Sequence, residues 1–412
     1  MSETPEAPAA PEAKEPAVEA DDEQVVGGPI RVRLFGRTDV GQVREHNEDN
    51  FIVADLSRKT RGLLEGDRVQ LVGPRGTLMA VCDGMGGAAA GEVASQLAVD
   101  IIYERMGEGD PPKDRDDIAR RIVRAIEEAG ARIYAEAKAD RSRRGMATTS
   151  TVAALVDDHL FLGQVGDSRC YVLRNGKLVQ VTRDQSLVNQ LIEAGQLTEE
   201  EAETFEHNNI ILQALGTSES VQVDLTYVHL RRGDVVMVCS DGLSGMMRAD
   251  ESRDVLATAK DPLEACKALT DRANQAGGHD NITCIVATFE GSGLKKFDPA
   301  EGDLKYRKYT LPELRNDDTT QPVRSSDLKL PPASGGSGPG SLKVGNTMVG
   351  MSLKDIEAAL PPGTLKGEAG PQAGNDDPVD LPIPPTPPWM VALWLLIAIS
   401  IVGAAGFFLL RN

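Results

Sequence analysis

Cysteine and histidine are scarce in this sequence, and neither forms a zinc or redox motif. Among 412 residues there are five of each, with no Cys-x-x-Cys pair, no His-Glu-x-x-His motif and no local Cys/His cluster. Zinc is therefore disfavoured. Most of the cysteines lie in apolar, strand-like runs, so we expect buried free thiols in a reducing compartment. A catalytic thiol is the alternative, but no cysteine lies in a loop suited to a nucleophile. The five are Cys82, Cys170, Cys239, Cys266 and Cys284.

Positive charge is also in short supply. The chain has 44 Lys and Arg against 63 Asp and Glu, a formal net charge of -19. Nucleic-acid binding needs Lys/Arg surfaces, so nucleic acid is not expected as a partner. The acidic surplus has two interpretations, a solvated surface with acidic tails or carboxylates that converge on cations. Both can hold for different residues.

Two segments lack the composition of a folded domain, and the first of them also lacks that of an export signal. Residues 1–29 are rich in Ala, Pro and Glu, with neither the basic nor the apolar region of a signal peptide, and are predicted to be a disordered acidic tail. Residues 291–388 are rich in Pro, Gly and Ser and are predicted to be a flexible linker.

One long run lacks charge altogether. Trp389 to Leu410 contains 22 residues without a charged side chain, about 33 Å as a helix at about 1.5 Å per residue. That length matches a hydrocarbon core of about 30 Å, and Trp389 and Trp394 lie toward one end, as interfacial aromatics do. The alternative, a buried core helix, is disfavoured because no other part of the chain remains to cover it. We expect a single-pass C-terminal transmembrane anchor, with the preceding domain in the cytoplasm.

Residues 30–290 have the patterns of a folded α+β domain. Short apolar runs of strand length recur along them. Helical patterns interrupt these runs, at about 88–106, 116–138, 186–194, 198–205 and 262–276. Asn175-Gly176 predicts a type I′ hairpin, and Thr198-x-x-Glu201 predicts a capping box. Many strands with a few long helices between them indicate a layered α+β architecture.

Carboxylates stand at the ends of several apolar runs, most of them beside glycine. Any one of them alone could be a turn residue or a helix cap. Together they favour an oxygen-only ligand set, which suits hard cations such as Mg²⁺ or Mn²⁺. The residues are Glu48, Asp49, Asp83, Asp167, Asp241 and Asp280.

These carboxylates belong to motifs that, taken in order, resemble the protein phosphatase 2C family, most closely its bacterial branch, over about residues 31–290. The motifs are Arg44-x-x-Asn47-Glu48-Asp49, Asp83-Gly84-Met85-Gly86-Gly87, Ala147-Thr148-Thr149, Gly166-Asp167-Ser168-Arg169, Ser240-Asp241-Gly242-Leu243 and Asp280-Asn281. The resemblance implies a four-layer α-β-β-α sandwich of two antiparallel sheets flanked by helices, with a two-metal centre at one edge.

The resemblance also implies a metal-dependent protein-serine/threonine phosphatase that opposes Ser/Thr kinases. Its cofactors would be two Mn²⁺ or Mg²⁺ ions, with a third, weaker ion. Two such cations can share a water and lower its pKa, so that a metal-bridging water or hydroxide attacks the phosphate. Phosphoryl transfer needs this positioning and charge neutralisation more than covalent help.

By the same resemblance, the motif residues take individual roles. Asp83 would bridge the two metals. The Gly84 carbonyl would bind one of them, and Asp241 and Asp280 would complete the other. Glu48 and Asp49 would hold metal-bound waters, and Asp167 with Asp241 would bind the third ion. Arg44 would bind the substrate phosphate. The residues expected to support the ligands are Thr148, Thr149 and Asn281.

The sequence departs from the family's pattern at three positions. Met85 stands where many eukaryotic members carry a histidine proposed as general acid, so the leaving group must be protonated by water or another group. His46 and His279 lie beside motif residues, although both fit ordinary loop histidines. Ala147 replaces a usual Gly. Gln185 replaces a usual His or Asp, which puts substrate contacts in doubt.

Two further segments can be compared with the family pattern. Residues 57–76 form a longer connection than most relatives need, and an extra hairpin is predicted there. Residues 185–215 match the region of a mobile flap in bacterial relatives. The partners expected are phosphorylated proteins, either the substrates of Ser/Thr kinases or the kinases themselves. Two other functions stay open, a catalytically silent scaffold with the same fold and a phosphohydrolase of small phosphate esters.

Overall fold

The computed structural model describes residues 28–62, 69–86, 90–203, 205, 207, 209–312, 342–344 and 347–349. These residues all lie within one unit of the chain, Met1–Pro362. The predicted membrane segment 389–410, residues 1–27 of the predicted tail and most of the predicted linker lie outside the described residues. Within the described part of the chain, no helix has both the length and the apolar character needed to cross a bilayer.

The described residues form seven α-helices and eighteen strands, several of them only two or three residues long. The helices are α1 Ala90–Gly107, α2 Arg115–Ala139, α3 Leu187–Glu193, α4 Glu199–Glu203, α5 Asp241–Ser244, α6 Ala249–Thr258 and α7 Pro262–Gln275. The strands are β1 Ile30–Asp39, β2 Asn50–Asp55, β3 Thr60–Arg61, β4 Val69–Leu71, β5 Thr77–Cys82, β6 Gly84–Met85, β7 Ala147–Thr148, β8 Ser150–Val156, β9 His159–Val165, β10 Arg169–Arg174, β11 Lys177–Gln180, β12 Ile210–Ile211, β13 Asp224–His229, β14 Val235–Cys239, β15 Ile282–Gly291, β16 Arg307–Lys308, β17 Leu342–Val344 and β18 Thr347–Val349.

Two antiparallel sheets carry the architecture. One has six strands in the order β11-β10-β14-β15-β1-β4, and the other has seven in the order β16-β13-β9-β8-β5-β2-β3. Apolar side chains that alternate along β1 (Ile30, Val32 and Leu34) are buried, while Arg31 and Arg33 are exposed, as a strand with one covered face requires. These buried residues belong to a core formed by both sheets.

Helices cover the two outer faces. α1 and α2 pack on the seven-stranded sheet through residues such as Ile102 and Ile126, and α6 and α7 pack on the six-stranded sheet through residues such as Val255 and Leu269. The four-layer α-β-β-α sandwich is therefore confirmed. The five cysteines are buried and unpaired, which confirms the prediction of free thiols.

Local sequence signals account for several element ends. Asn175 and Gly176 both have positive φ (50° and 75°) between β10 and β11, as a type I′ hairpin requires. The Thr198 hydroxyl accepts from the Glu201 N–H at 3.2 Å, and the Thr198 N–H donates to Glu201 Oε2 at 2.9 Å. Both predictions are confirmed. The short helices α5 and α6 were not predicted, because α6 (ADESRDVLAT) has few apolar residues to set a helical period.

Two predictions about segments are corrected by the structure. Residues 57–76 do not form an extra hairpin: β3 extends the edge of the seven-stranded sheet beside β2, while β4 extends the edge of the six-stranded sheet beside β1. The segment therefore passes from one sheet to the other, and residues 63–68 within it lie outside the description.

The folded domain also extends beyond residue 290, where the linker was predicted to begin. Leu294 is fully buried, and β16 pairs with β13. The Tyr309 hydroxyl donates to Asp116 Oδ1 at 2.6 Å, and its ring lies edge-on to Phe161. The predicted boundary therefore falls about twenty residues short, because these contacts join segments too distant in sequence for a local pattern to reveal.

The segment predicted as a flap contains α3, α4 and β12. Ser186 and Ile211 form an isolated β-bridge that closes this segment on itself. β12 also pairs in parallel with β18, which pairs antiparallel with β17. β17 and β18, within the predicted linker, thus add a two-stranded hairpin to the flap.

Candidate active site

The predicted carboxylates meet where strand ends of both sheets reach the same edge of the sandwich. Asp83 follows β5 and Asp167 follows β9 in the seven-stranded sheet. Asp241 follows β14 and Asp280 precedes β15 in the six-stranded sheet. Because neighbouring strands run antiparallel, these ends and the start of β2, next to Asp49, lie at one edge.

Two threonines fix the backbone of Asp83. The Asp83 N–H donates to Thr149 Oγ1 at 3.0 Å, and the Asp83 carbonyl accepts from Thr149 N–H at 2.9 Å and from Thr148 Oγ1 at 2.8 Å. Thr149 Oγ1 is in turn 2.7 Å from Ser168 Oγ. The position of the Asp83 carboxylate is therefore determined by buried hydroxyls behind it, as predicted support of a ligand would require.

The Asp83 carboxyl group lies among other carboxylates. Its pKa is raised well above the ordinary value, first by removal from water and then by the charges of Asp49, Asp241 and Asp280. Hydrogen bonding with Asp241 raises this pKa as well. A carboxylate in this position is costly unless a proton or a cation neutralises it.

Asp49 is buried behind them, with 4% of its surface exposed. Its Oδ2 accepts from Ser240 Oγ at 2.8 Å. Burial, together with the charges of Asp241 and Asp280, raises the pKa of Asp49 to about 8, although hydrogen bonds from Thr283 and Ser240 lower it in part. At neutral pH, Asp49 therefore carries a proton unless positive charge is supplied nearby.

Three carboxylate oxygens in this region are buried without a hydrogen-bond partner among the described residues. They are Oδ1 of Asp49, Oδ1 of Asp167 and Oδ1 of Asp241. Burial and the neighbouring charges also raise the pKa values of Asp167 and Asp241. Unsatisfied, mutually repelling oxygens are what a hard divalent cation would bind, so the residues present fit Mg²⁺ or Mn²⁺. No three of these carboxylates converge within 4.8 Å in the described part of the chain, as expected of like charges.

Glu48 and Gly84 approach each other too closely for any side chain at position 84. A Cβ added to Gly84 would lie 2.3 Å from the Glu48 carbonyl oxygen and 2.4 Å from that of Gly91. Burial raises the pKa of Glu48, and hydrogen bonding to the Gly91 backbone, in the first turn of α1, opposes this only in part. The Asp-Gly sequence at 83–84 is therefore a steric requirement of the site.

Arg44 lies at the rim of the site and forms an ion pair with Asp280. Its Nη2 is 2.6 Å from Asp280 Oδ2, and the two side chains are 36% and 37% exposed. Arg44 was predicted to bind phosphate and Asp280 to bind a metal, and neither role implied this pair. A guanidinium at the rim keeps a permanent positive charge beside the carboxylates.

Asn281 joins the two halves of the site. Its Oδ1 accepts from the Glu48 N–H at 2.7 Å, and its Nδ2 donates to the carbonyls of Val40 and His46 at 2.9 Å each. The loop that carries Arg44 and Glu48 is thereby fixed to the start of β15. This is the geometry expected of a residue predicted to support the ligands.

Gln185 has a structural role that was not predicted from the sequence. Its Oε1 accepts from the Gly166 N–H at 3.0 Å, and its own N–H donates to the Gly166 carbonyl at 2.9 Å. Gly166 has φ of +100°, a conformation that favours glycine, and Gln185 therefore holds this turn directly before Asp167. Its carbonyl accepts from Leu212 N–H at 2.8 Å, which links the same turn to the flap.

The other departures from the family pattern lie around the site. Met85 and Ala147 are buried opposite each other in β6 and β7 and pack with Ile211 and Ala214 of the flap segment. His46 and His279 are exposed. Ala147 thus fills a small apolar contact between the site and the flap and leaves the carboxylates unchanged.

Comparison with known proteins gives a consistent result. The sequence model of the family described as Protein phosphatase 2C matches residues 56–280. The serine/threonine phosphatase stp of Listeria welshimeri is 34% identical over 250 residues, which are 61% of this chain and 93% of that protein.

Solved structures are similar over the same region. The crystal structure of the Mycobacterium tuberculosis serine/threonine phosphatase PstP is 33% identical with a TM-score of 0.54, over 63% of this chain and 99% of that chain. The catalytic domain of PstP in complex with two manganese ions is 32% identical with a TM-score of 0.53, over 63% and 99%. The family match covers more than half of the sequence, and it includes Asp83, Asp167, Asp241 and Asp280. The chain belongs to the protein phosphatase 2C family.

Proposed function

We propose that this protein is a metal-dependent protein-serine/threonine phosphatase that hydrolyses phosphoserine and phosphothreonine in proteins. The observation that carries the proposal is the set of buried, unpartnered oxygens of Asp49, Asp167 and Asp241 around Asp83. None of these four carboxylates forms an ion pair with a described residue, so their charge must be neutralised by protons or by cations. The names of the similar phosphatases, and the two manganese ions in the PstP catalytic domain, favour cations.

The ligands would be those predicted from the motifs. Asp83, the Gly84 carbonyl, Asp241 and Asp280 would hold two Mn²⁺ or Mg²⁺ ions, Glu48 and Asp49 would hold their waters, and Asp167 would serve a third ion. Bound cations would supply a water of lowered pKa and neutralise charge on the phosphate.

The chain's own residues position the substrate, hold the metal ligands in place and limit the possible proton donors. Arg44 presents its guanidinium at the rim, where it can bind phosphate oxygens. Thr148, Thr149 and Asn281 prevent movement of Asp83 and Glu48 through the bonds described above. Met85 is buried and has no proton to donate, so the proton for the leaving alkoxide comes from water or from another group.

The test is phosphate release from a phosphothreonine peptide by the full chain, with Mn²⁺, with Mg²⁺ and with EDTA. Asp83→Asn and Asp241→Asn are compared with Asp110→Asn, which changes an exposed aspartate outside the site. We expect metal-dependent turnover that both site variants lose and the control keeps.

Two results would contradict the proposal. Metal binding without turnover on any phosphate ester would favour the scaffold. Turnover on a small phosphate ester such as p-nitrophenyl phosphate, without turnover on phosphopeptides or phosphoproteins, would favour the small-ester phosphohydrolase.

We further propose that residues 389–410 anchor the protein in a membrane, with the catalytic domain in the cytoplasm. The 22 uncharged residues support the anchor, and five buried free thiols suit a reducing compartment. Its substrates would then be phosphorylated proteins near that membrane, made by Ser/Thr kinases, or the kinases themselves, and tethering would raise its concentration near them. Carbonate extraction of cell membranes tests the anchor: the full chain should stay in the pellet, and a variant without residues 389–412 should be soluble.

A further inference from the structure

A second group of titratable side chains lies at the other end of β9 from Asp167. Asp158 is in the turn between β8 and β9, His159 begins β9, and His229 ends β13. His159 and His229 are register partners across the two antiparallel strands, so their side chains emerge on the same face. Six residues of β9 separate this end from Val165, roughly 20 Å at about 3.3 Å per residue.

The three side chains converge closely. His159 Nδ1 is 2.7 Å from Asp158 Oδ1, and His229 Nδ1 is 3.9 Å from Asp158 Oδ2. The two imidazole centroids are 4.0 Å apart, with the rings tilted by 59°. One ligand atom from each residue lies within 4.8 Å of the other two, and no other described group of three His, Cys, Asp or Glu side chains meets that condition.

The group is enclosed. His159 is 3% exposed, and its Nε2 is buried without a hydrogen-bond partner among the described residues. The side chains of Asp158 and His229 are 13% and 17% exposed. The rings of Phe161 and Tyr227 stack beside His159 at centroid distances of 6.1 Å. A cation here would be held in a largely apolar pocket, where ligand bonds compete with little water.

The charge states suit metal binding at neutral pH. Burial lowers the pKa of His159, because the charged imidazolium is disfavoured away from water. Burial opposes ionisation of Asp158, but hydrogen bonds from His159 and His229 outweigh it and lower the pKa of Asp158. A neutral imidazole beside an ionised carboxylate is the form in which both residues bind metals.

We propose that Asp158, His159 and His229 form a transition-metal site, suited to Zn²⁺ and separate from the catalytic carboxylates. Two imidazole nitrogens and one carboxylate oxygen are ligands of Zn²⁺ and related ions, whereas Mg²⁺ prefers oxygen alone. Tetrahedral coordination at about 2.0–2.1 Å places donor atoms roughly 3.4 Å apart. His159 Nδ1 lies closer than this to Asp158 Oδ1, at 2.7 Å, and His229 Nδ1 lies farther from Asp158 Oδ2, at 3.9 Å, so a bound ion would replace the His159–Asp158 hydrogen bond. A bound ion would join the β8–β9 turn to the end of β13, and a water would complete its coordination.

The test uses the full chain, stripped of metal, equilibrated with excess Mg²⁺ and then titrated with Co²⁺. Mg²⁺ favours the oxygen ligands, and four-coordinate Co²⁺ with imidazole ligands absorbs visible light far more strongly than six-coordinate Co²⁺ with oxygen ligands. We expect one equivalent of strongly absorbing Co²⁺, displaced by Zn²⁺. His229→Asn and Asp158→Asn should weaken binding by more than about 100-fold, while the matched control His207→Asn should bind as the unchanged chain does.

A second arm separates this site from the catalytic one and guards against misfolding. The double variant Asp83→Asn/Asp241→Asn should keep the strong Co²⁺ absorption, and Zn²⁺ should raise its melting temperature by linkage. Weak absorption in the unchanged chain, or strong absorption that persists in folded His229→Asn, would overturn the proposal. The three residues would then be a hydrogen-bonded group without a metal.

Discussion

The two ends of strand β9 place aspartates in opposite electrostatic surroundings. At the Asp167 end the neighbours are carboxylates, and the pKa values of Asp49, Asp83 and Asp167 are raised. At the Asp158 end the neighbours are imidazoles, and the pKa of Asp158 is lowered. Burial disfavours the ionised form at both ends, so the difference comes from the neighbours' capacity to donate hydrogen bonds or positive charge.

The same fold thus accommodates buried aspartates in two ways. The carboxylate end is incomplete without external positive charge, whereas the imidazole end satisfies its aspartate internally. The carboxylate end lowers the stability of the metal-free protein but gives the protein affinity for hard cations. The imidazole end adds to stability in the absence of any ion.

The largest expected effect is on catalysis, and it should be confined to one end. Asp83→Asn or Asp241→Asn removes charge from the proposed cation ligands, so we expect kcat/KM to fall by about 10³-fold or more. Asp158→Asn should leave kcat/KM unchanged. Steady-state kinetics on a phosphothreonine peptide with Mn²⁺ gives both values. Equal losses of kcat/KM in the variants at the two ends would show that catalysis does not depend on the carboxylate end alone.

The next effect is the pH dependence of stability without metal. Because the folded pKa of Asp49 is raised to about 8, above an ordinary value of about 3.9, its protonation stabilises the fold fully below about pH 4 and no longer does so above about pH 8. In EDTA the melting temperature should therefore fall as pH rises between these values. Asp49→Asn should flatten the curve, and Mn²⁺ should oppose the fall. A metal-free protein that gains stability over this range would contradict the assignment.

A smaller effect is expected from the hydroxyl behind Asp83. Thr149→Val keeps the shape of the side chain but removes the acceptor of the Asp83 N–H and the partner of Ser168. Catalytic geometry should loosen, and kcat should fall by about tenfold. Thr151→Val is the control, because Thr151 bonds to Gln164 and Ser168 without contacting Asp83. Similar losses in both variants would indicate general destabilisation.

The smallest effect concerns the imidazole end. The lowered pKa of Asp158 means that its ionised form stabilises the fold above the ordinary aspartate pKa and that this contribution is lost as pH falls through the folded pKa. Asp158→Asn should therefore reduce the free energy of unfolding at neutral pH by about 1 kcal/mol, measured by urea denaturation without metal. The difference should shrink in acid. A constant difference across pH would point to packing alone.

Sequence patterns predicted what depends on neighbours along the chain. Asp83 and Asp241 each follow an apolar strand and precede glycine, and this local arrangement was enough to propose ligands. The ion pair of Arg44 with Asp280 joins residues 236 positions apart, so no local sequence pattern indicates it. The convergence of His159 with His229 depends on the β9–β13 register, which a sequence without a structure does not give. The same limit explains why the hydrogen bond between Tyr309 and Asp116 was not predicted.

The hairpin added to the flap has a kinetic consequence. Because β18 and β12 are parts of one chain, their pairing is a first-order event that dilution does not reverse. Its occupancy depends on an effective concentration set by the length of the connecting chain. An extended peptide from another protein could pair with the same side of β12, but it would have to displace β18. Its apparent affinity for β12 is therefore reduced, and the factor of reduction is the same at every protein concentration.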